Sequence, residues 1–62
     1  MDKKSAEEIF DVYYGYRFDV YKNDFIRKEV ESIINRYEIL KKKHGILDAE
    51  KMAIVEWLME RV

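Results

Sequence analysis

The sequence predicts an all-α fold: an antiparallel helical hairpin followed by a third, C-terminal helix. Three observations support this class. The 62 residues include no proline and only two glycines, so few positions interrupt a helix. Apolar residues recur at intervals of three and four, and three sets of capping signals divide the chain. We expect residues 1–62 to form a single small domain, because a chain this short is near the lower limit for independent folding.

Helix 1 is predicted to span about residues 5–21. Ser5 and Glu8 have the spacing of a capping box, in which each side chain bonds the other residue's backbone amide. Gly15 falls inside this helix, where it is expected to cost about 1 kcal/mol relative to alanine. One row at helical spacing is predicted to face the core; it comprises Ile9, Tyr13, Tyr16 and Val20.

Helix 2 is predicted to span about residues 24–44. Asn23 is a favourable N-cap, and Asp24 suits the positive end of the helix dipole. The helix is expected to end in the basic run 41–44, with Gly45 in the left-handed conformation after it. Its apolar stripe is the most regular in the chain and comprises Ile26, Val30, Ile33, Tyr37 and Leu40.

Helix 3 is predicted to span about residues 48–61, with Asp48 as its N-cap. Apolar residues cover more than half of its circumference. Part of this surface is expected to pack on the hairpin, and part is expected to remain exposed for a partner. That partner could be a second copy of the chain, which would form a homo-oligomer through helix 3. The main row contains Met52, Val55, Met59 and Val62, and Ile54, Trp57 and Leu58 widen it.

Composition argues against several classes of function. The chain has no cysteine and one histidine, so it cannot build a thiolate zinc site, and we expect no cofactor and no enzymatic activity. The net charge of −1 provides no general attraction for nucleic acid. The longest stretch without charge, residues 12–16, is far shorter than a membrane span, and the charged N-terminus does not resemble a signal peptide. We therefore expect a cytoplasmic protein without membrane attachment.

Aromatic residues are concentrated in helix 1 and the turn after it. Seven of the nine lie between Phe10 and Phe25, and at helical spacing they cannot all face one small core. Tyrosine and phenylalanine are enriched at protein interfaces, so the surplus rings predict a protein-binding surface. This predicted aromatic face comprises Tyr14, Phe18, Tyr21 and Phe25, and Asp24 beside it is the fifth predicted partner-binding residue.

Residues 5–36 resemble the Sda family, small inhibitors of a sporulation sensor histidine kinase in spore-forming Firmicutes. Members of that family are helical hairpins that dock on the kinase's dimerisation and phosphotransfer helices. The resemblance implies that Phe25 belongs to the kinase-binding surface, with Tyr21 in place of an aliphatic contact residue. The chain departs from the family at Gly15 and Asp19 and by having a third helix. The shared positions are Ser5, Glu7, Tyr13, Asp24-Phe25-Ile26, Ile33 and Arg36.

The leading hypothesis is therefore a protein-binding inhibitor of a histidine kinase or a similar helical target. One alternative is a phage- or mobile-element-encoded inhibitor of another host or defence protein. A minor alternative is a nucleic-acid-binding helical module that uses Arg36 and the lysines at 41–43. The acidic residues Asp48 and Glu50 at the start of helix 3 argue against that last function, because a recognition helix reads bases and phosphates there.

Overall fold

The computed structural model describes residues 1–15 and 21–61, which form three α-helices with no strand within these ranges. Helix α1 spans Lys3–Tyr13, α2 spans Asn23–Lys41 and α3 spans Ile46–Met59. The central helix α2 packs against both α1 and α3. The predicted small all-α domain of three helices is confirmed.

The N-cap of α1 is Asp2 rather than Ser5. The Asp2 carboxylate accepts a hydrogen bond from the Ser5 backbone amide at 2.8 Å. This bond also holds the pKa of Asp2 below its ordinary value, because it stabilises the charged form. The predicted capping box of Ser5 and Glu8 is therefore wrong: Asp2 satisfies a free amide of the first turn and starts the helix two residues earlier than expected.

Helix α1 ends at Tyr13 and does not continue to about residue 21. Tyr14 is the C-cap, and Gly15 follows with φ of +69°, a left-handed conformation that favours glycine. The Gly15 amide donates to the Val12 carbonyl at 3.2 Å, which is one of the two bonds of a Schellman motif. Gly15 thus terminates the helix in which it was predicted to lie. The predicted positions that fall outside the described residues are Tyr16, Phe18, Asp19, Val20 and Val62.

The junction between α2 and α3 comprises residues 42–45, so it begins earlier in the chain and is one residue longer than predicted. Helix α2 begins at Asn23 with Lys22 as its N-cap, and it ends at Lys41 rather than near residue 44. Gly45 has φ of −66° and ψ of 161°, so it is extended and serves as the N-cap of α3. The predicted left-handed Gly45 and the predicted Asp48 N-cap are both wrong. Asp48 lies instead in the first turn of α3, where its charge suits the helix dipole.

The core is formed by one face of each helix. The α2 stripe is confirmed, with Leu40 half-buried at its end. On α1 the buried residues are Ala6 and Phe10, whereas Tyr13, predicted to be in the core, is 38% exposed. Small residues at the α2–α3 contact let the helices approach closely. The buried residues are Ala6, Phe10, Ile26, Val30, Ile33, Tyr37, Ala49, Ala53 and Trp57.

Two arginine clusters join α2 to the end of α3. Arg61 pairs with Glu29 of α2, donates to the Trp57 carbonyl at 2.8 Å and lies 4.1 Å from the centre of the Trp57 ring. Arg36 of α2 pairs with Glu60 and lies 3.6 Å from Glu56. Most of these groups are only partly exposed, so salt screens them less than fully solvated pairs. They hold α3 in one register along α2.

None of the helices in the described ranges is both long enough and apolar enough to span a bilayer.

Candidate protein-binding surfaces

The structure brings together three of the four residues predicted to form the aromatic face. The ring centroids of Tyr14 and Tyr21 are 4.9 Å apart, those of Tyr14 and Phe25 are 5.6 Å apart, and those of Tyr21 and Phe25 are 5.3 Å apart. Most of these contacts are edge-to-face, an arrangement that aromatic pairs favour. Phe18, the fourth predicted residue, lies outside the described part of the chain.

These rings are not surplus to the core. The fully buried ring of Phe10 lies 4.5 Å from Tyr14 and 5.9 Å from both Tyr21 and Phe25. All three are half-buried against the core cluster. The expectation that these rings are surplus to the core is therefore wrong for Tyr14, Tyr21 and Phe25. Asp24 is exposed beside them, 3.6 Å from Arg27.

Tyr14 also has an electrostatic environment that links all three helices. Burial raises the pKa of its phenol above the ordinary value, and the nearby Glu29 carboxylate raises that pKa further. The Arg61 guanidinium acts in the opposite direction through a hydrogen bond and its charge. The neutral phenol of Tyr14 is thus the form that suits the folded protein.

We predict that alkaline pH destabilises the protein partly through Tyr14. The unfolded chain loses this proton at a lower pH than the folded chain, so the free energy of unfolding falls as pH rises above about 10. The Tyr14→Phe variant should show a smaller fall between about pH 9 and 11, measured by urea denaturation at each pH. Equal slopes for wild type and variant would show that Tyr14 makes no such contribution.

An apolar groove lies between α1 and α3. Its volume is about 540 Å³, and the structure leaves it open to solvent. Val12, on its α1 side, is 62% exposed. The rim is polar and mainly acidic, formed by Ser5, Glu8 and Glu50. The apolar side chains lining this interhelical groove are Met1, Ile9, Val12, Tyr13, Ile54 and Leu58.

The groove forms because α1 and α3 both pack on α2 and have only limited contact with each other, which includes the Tyr13 and Trp57 rings, whose centroids are 5.2 Å apart. Sequence reasoning assigned Ile9 and Tyr13 to the core and treated Ile54 and Leu58 as an extension of the α3 row. The helical periodicity identifies all four as apolar. Helical periodicity does not determine the angle between α1 and α3, so the groove between them could not be predicted from the sequence.

A second exposed apolar surface runs along a side of α3 that α2 does not cover. Lys51, Met52, Val55 and Glu56 line a shallow depression there. Val55 is 52% exposed, and Met59, one turn further on, is 69% exposed. We refer to these five residues as the outer face of α3. Part of the row that the sequence assigned to helix 3 is thus available to a partner.

Two of the basic residues considered for nucleic-acid binding, Arg36 and Lys41, have intramolecular partners. Arg36 is held by Glu56 and Glu60, and Lys41 lies 3.2 Å from Glu38 and 5.4 Å from the centre of the Tyr37 ring. These pairs reduce the positive charge that the end of α2 presents.

Neither a metal site nor a known relative identifies a function for this chain. Among residues 1–15 and 21–61, no group of three or more His, Asp or Glu side chains is arranged to hold a metal ion. The chain matches no protein-family model, and comparisons with curated proteins and with solved structures found no significant match.

Proposed function

We propose that this chain is a small protein-binding inhibitor that docks on a helix of its target. The observation that carries the proposal is the interhelical groove between α1 and α3. Two helices present a continuous apolar channel, and helix-in-groove recognition is a recurrent way of burying such a surface. Val12 gains the most from docking, because it is the most exposed of the apolar α1 residues along the groove.

The chemistry of the groove defines the kind of helix that fits. Apolar side chains of the partner, spaced three and four residues apart, would contact Ile9, Val12 and Leu58. Glu8 and Glu50 at the rim favour lysine or arginine at the edges of the partner's apolar stripe. Glu50 lies 3.9 Å from the terminal ammonium of Met1, which offsets part of its charge, so Glu8 contributes more to this preference. The partner is therefore a basic amphipathic helix.

A narrower proposal concerns the target. The resemblance of residues 5–36 to the Sda family supports a sensor histidine kinase, whose dimerisation and phosphotransfer domain is helical. In this form of the proposal Phe25 is an anchor at the edge of the aromatic cluster, and Asp24 offers an exposed charge next to it. A phage- or mobile-element-encoded inhibitor of another host or defence protein would use the same kind of docking.

The test separates the two surfaces with matched substitutions. The probe for the groove is a synthetic basic amphipathic helical peptide, with binding measured by fluorescence anisotropy. We expect Val12→Lys to weaken binding at least tenfold, because it places a charge in the apolar channel. Ile39→Lys is the control, since Ile39 is 64% exposed on α2 and lies outside the groove. Equal affinity for wild type and Val12→Lys would overturn the groove as the binding site.

The same variants can be tested as inhibitors of sensor histidine kinase autophosphorylation. Loss of inhibition by Asp24→Lys, with Val12→Lys still active, would assign docking to the aromatic face instead. Inhibition lost by Val12→Lys alone would assign it to the groove. If the wild-type protein does not inhibit the kinase, the kinase is excluded as the target. Peptide binding to the groove is tested independently by the anisotropy measurement.

A further inference from the structure

We propose that the outer face of α3 binds the same face of a second copy of this chain, with the two α3 helices parallel. This inference does not depend on the target of the interhelical groove, since the outer face lies on a different side of α3. It rests on two observations: the position of the exposed apolar residues on the helix and the arrangement of the two charges beside them.

The apolar positions form a seam along α3 that lies outside its contact with α2. Ala53 is fully buried against α2, and at 3.6 residues per turn Val55 points to the opposite side of the helix. Met52, Val55 and Met59 have the three- and four-residue spacing of the a and d positions of a heptad. A helix that is apolar on opposite sides is typically covered on both, and α2 covers only one.

The flanking charges select the partner and its direction. With Met52 and Met59 at a and Val55 at d, Lys51 occupies a g position and Glu56 the following e position. In a parallel pair the g residue of one helix faces the next e residue of the other. Two-fold symmetry would therefore create two Lys51–Glu56 ion pairs between the copies.

An antiparallel pair would have the opposite electrostatics. There g faces g and e faces e, so Lys51 would face Lys51 and Glu56 would face Glu56. Glu56 Oε1 lies 3.6 Å from Arg36 within its own chain, yet the Glu56 side chain remains 46% exposed and accessible to a second cation. Charge complementarity with a second copy thus favours the parallel arrangement over the antiparallel one.

Cysteine cross-linking tests the proposed geometry directly. The chain contains no cysteine, so Val55→Cys introduces a single thiol at an exposed position. In a parallel pair the two introduced thiols meet at the seam, and we expect disulfide-linked dimers under mild oxidation to form at least tenfold faster than for Ile39→Cys. Ile39 is the matched control, because it is similarly exposed but lies on α2. Equal rates for the two variants would overturn the proposal.

Direction is read from mixed variants. An antiparallel pair would place Val55 opposite Met52, so a mixture of Met52→Cys and Val55→Cys would then cross-link faster than Val55→Cys alone. That result would overturn the parallel arrangement. Circular dichroism of each reduced variant checks that α-helix content is retained before oxidation.

Charge reversal gives a second measurement that does not depend on thiols. In sedimentation equilibrium, Lys51→Glu should raise the dimer dissociation constant about tenfold, because it replaces two attractive pairs by repulsive ones. A mixture of Lys51→Glu and Glu56→Lys should restore dimers, and each variant alone should not. Unchanged self-association of Lys51→Glu, or a wild-type protein that is monomeric up to millimolar concentration, would contradict the proposed pairing.

Discussion

Replacing Trp57 with alanine is expected to remove a large part of the stability of the protein at 25 °C. Trp57 is fully buried, its ring lies 5.2 Å from that of Tyr13, and the Arg61 guanidinium lies 4.1 Å from its centre. Removing a buried tryptophan typically costs about 3–5 kcal/mol. A domain of 62 residues has a total stability of only about 3–9 kcal/mol, so this loss is a large part of it.

Thermal and urea denaturation followed by circular dichroism would measure the effect. Trp57→Phe is the matched control. It keeps an aromatic ring in the site and removes the indole N–H, which is buried and has no hydrogen-bond partner among the described residues. We expect Trp57→Phe to remain folded, with a much smaller loss of stability. An alanine variant as stable as the phenylalanine variant would show that α3 does not depend on this contact.

Phe10→Ala is expected to cost a similar amount, about 3–5 kcal/mol, because the fully buried Phe10 ring contacts each member of the half-buried aromatic cluster. Tyr14, Tyr21 and Phe25 would lose the surface on which they pack. The variant should therefore lose the packing of these three rings as well as the contacts of the Phe10 side chain itself.

Tyr13→Ala provides the comparison, because Tyr13 is the neighbouring aromatic residue that helical spacing assigned to the core. It is 38% exposed, so its removal should cost well under half as much as that of Phe10. Urea denaturation of both variants at neutral pH would rank them. A larger loss for Tyr13→Ala would mean that the packing of α1 is the reverse of the one described.

Helix α2 could be predicted almost completely from the sequence. Its stripe of Ile26, Val30, Ile33 and Tyr37 is buried as expected, because α2 lies between two neighbours and has one regular apolar face. The number of helices also followed from periodicity, whereas the end of α1 and the capping residues of α1 and α3 did not. The stripe and the number of helices depend on interactions within one turn of helix, which a sequence shows directly.

The packing of α1 was predicted incorrectly because of where the helix ends. The row of Ile9 and Tyr13 is continuous with Tyr16 and Val20 only when the helix passes through Gly15. In the structure Gly15 stops the helix, and Ala6 and Phe10 form the shorter row that meets α2. Alanine carries little apolar surface. In the sequence, the row of Ala6 and Phe10 is therefore less hydrophobic than the row that contains isoleucine and two tyrosines.

The buried face of α3 was also difficult to predict, because its buried row contains small residues. Hydrophobicity favoured the row of Met52, Val55 and Met59, whereas the residues buried against α2 are Ala49, Ala53 and Trp57. Small side chains allow two helix backbones to approach closely, and the one large ring fills the space that remains. Which of two apolar rows faces inward depends on the shape of the neighbouring helix, and the sequence of α3 alone does not contain that information.

The candidate surfaces were predictable to different extents. The sequence correctly grouped Tyr14, Tyr21 and Phe25, because they lie close together along the chain at the α1–α2 connection. Their contact with Phe10, and hence their role as a flank of the core, required the fold. The interhelical groove joins Val12 to Leu58, residues far apart in sequence, so no local pattern could identify it.

The position of Trp57 makes it an intrinsic optical probe. It is the single tryptophan of the chain, and its ring centroid lies 5.2 Å from that of Tyr13 and 6.4 Å from that of Tyr14. Energy absorbed by these two tyrosines at the end of α1 can therefore pass to the indole of α3 and be emitted there. Separation of α1 from α3 would change the tyrosine-excited emission even if each helix remained intact. A partner helix that enters the interhelical groove and moves α1 away from α3 would therefore change this emission, so its binding could be measured without a label.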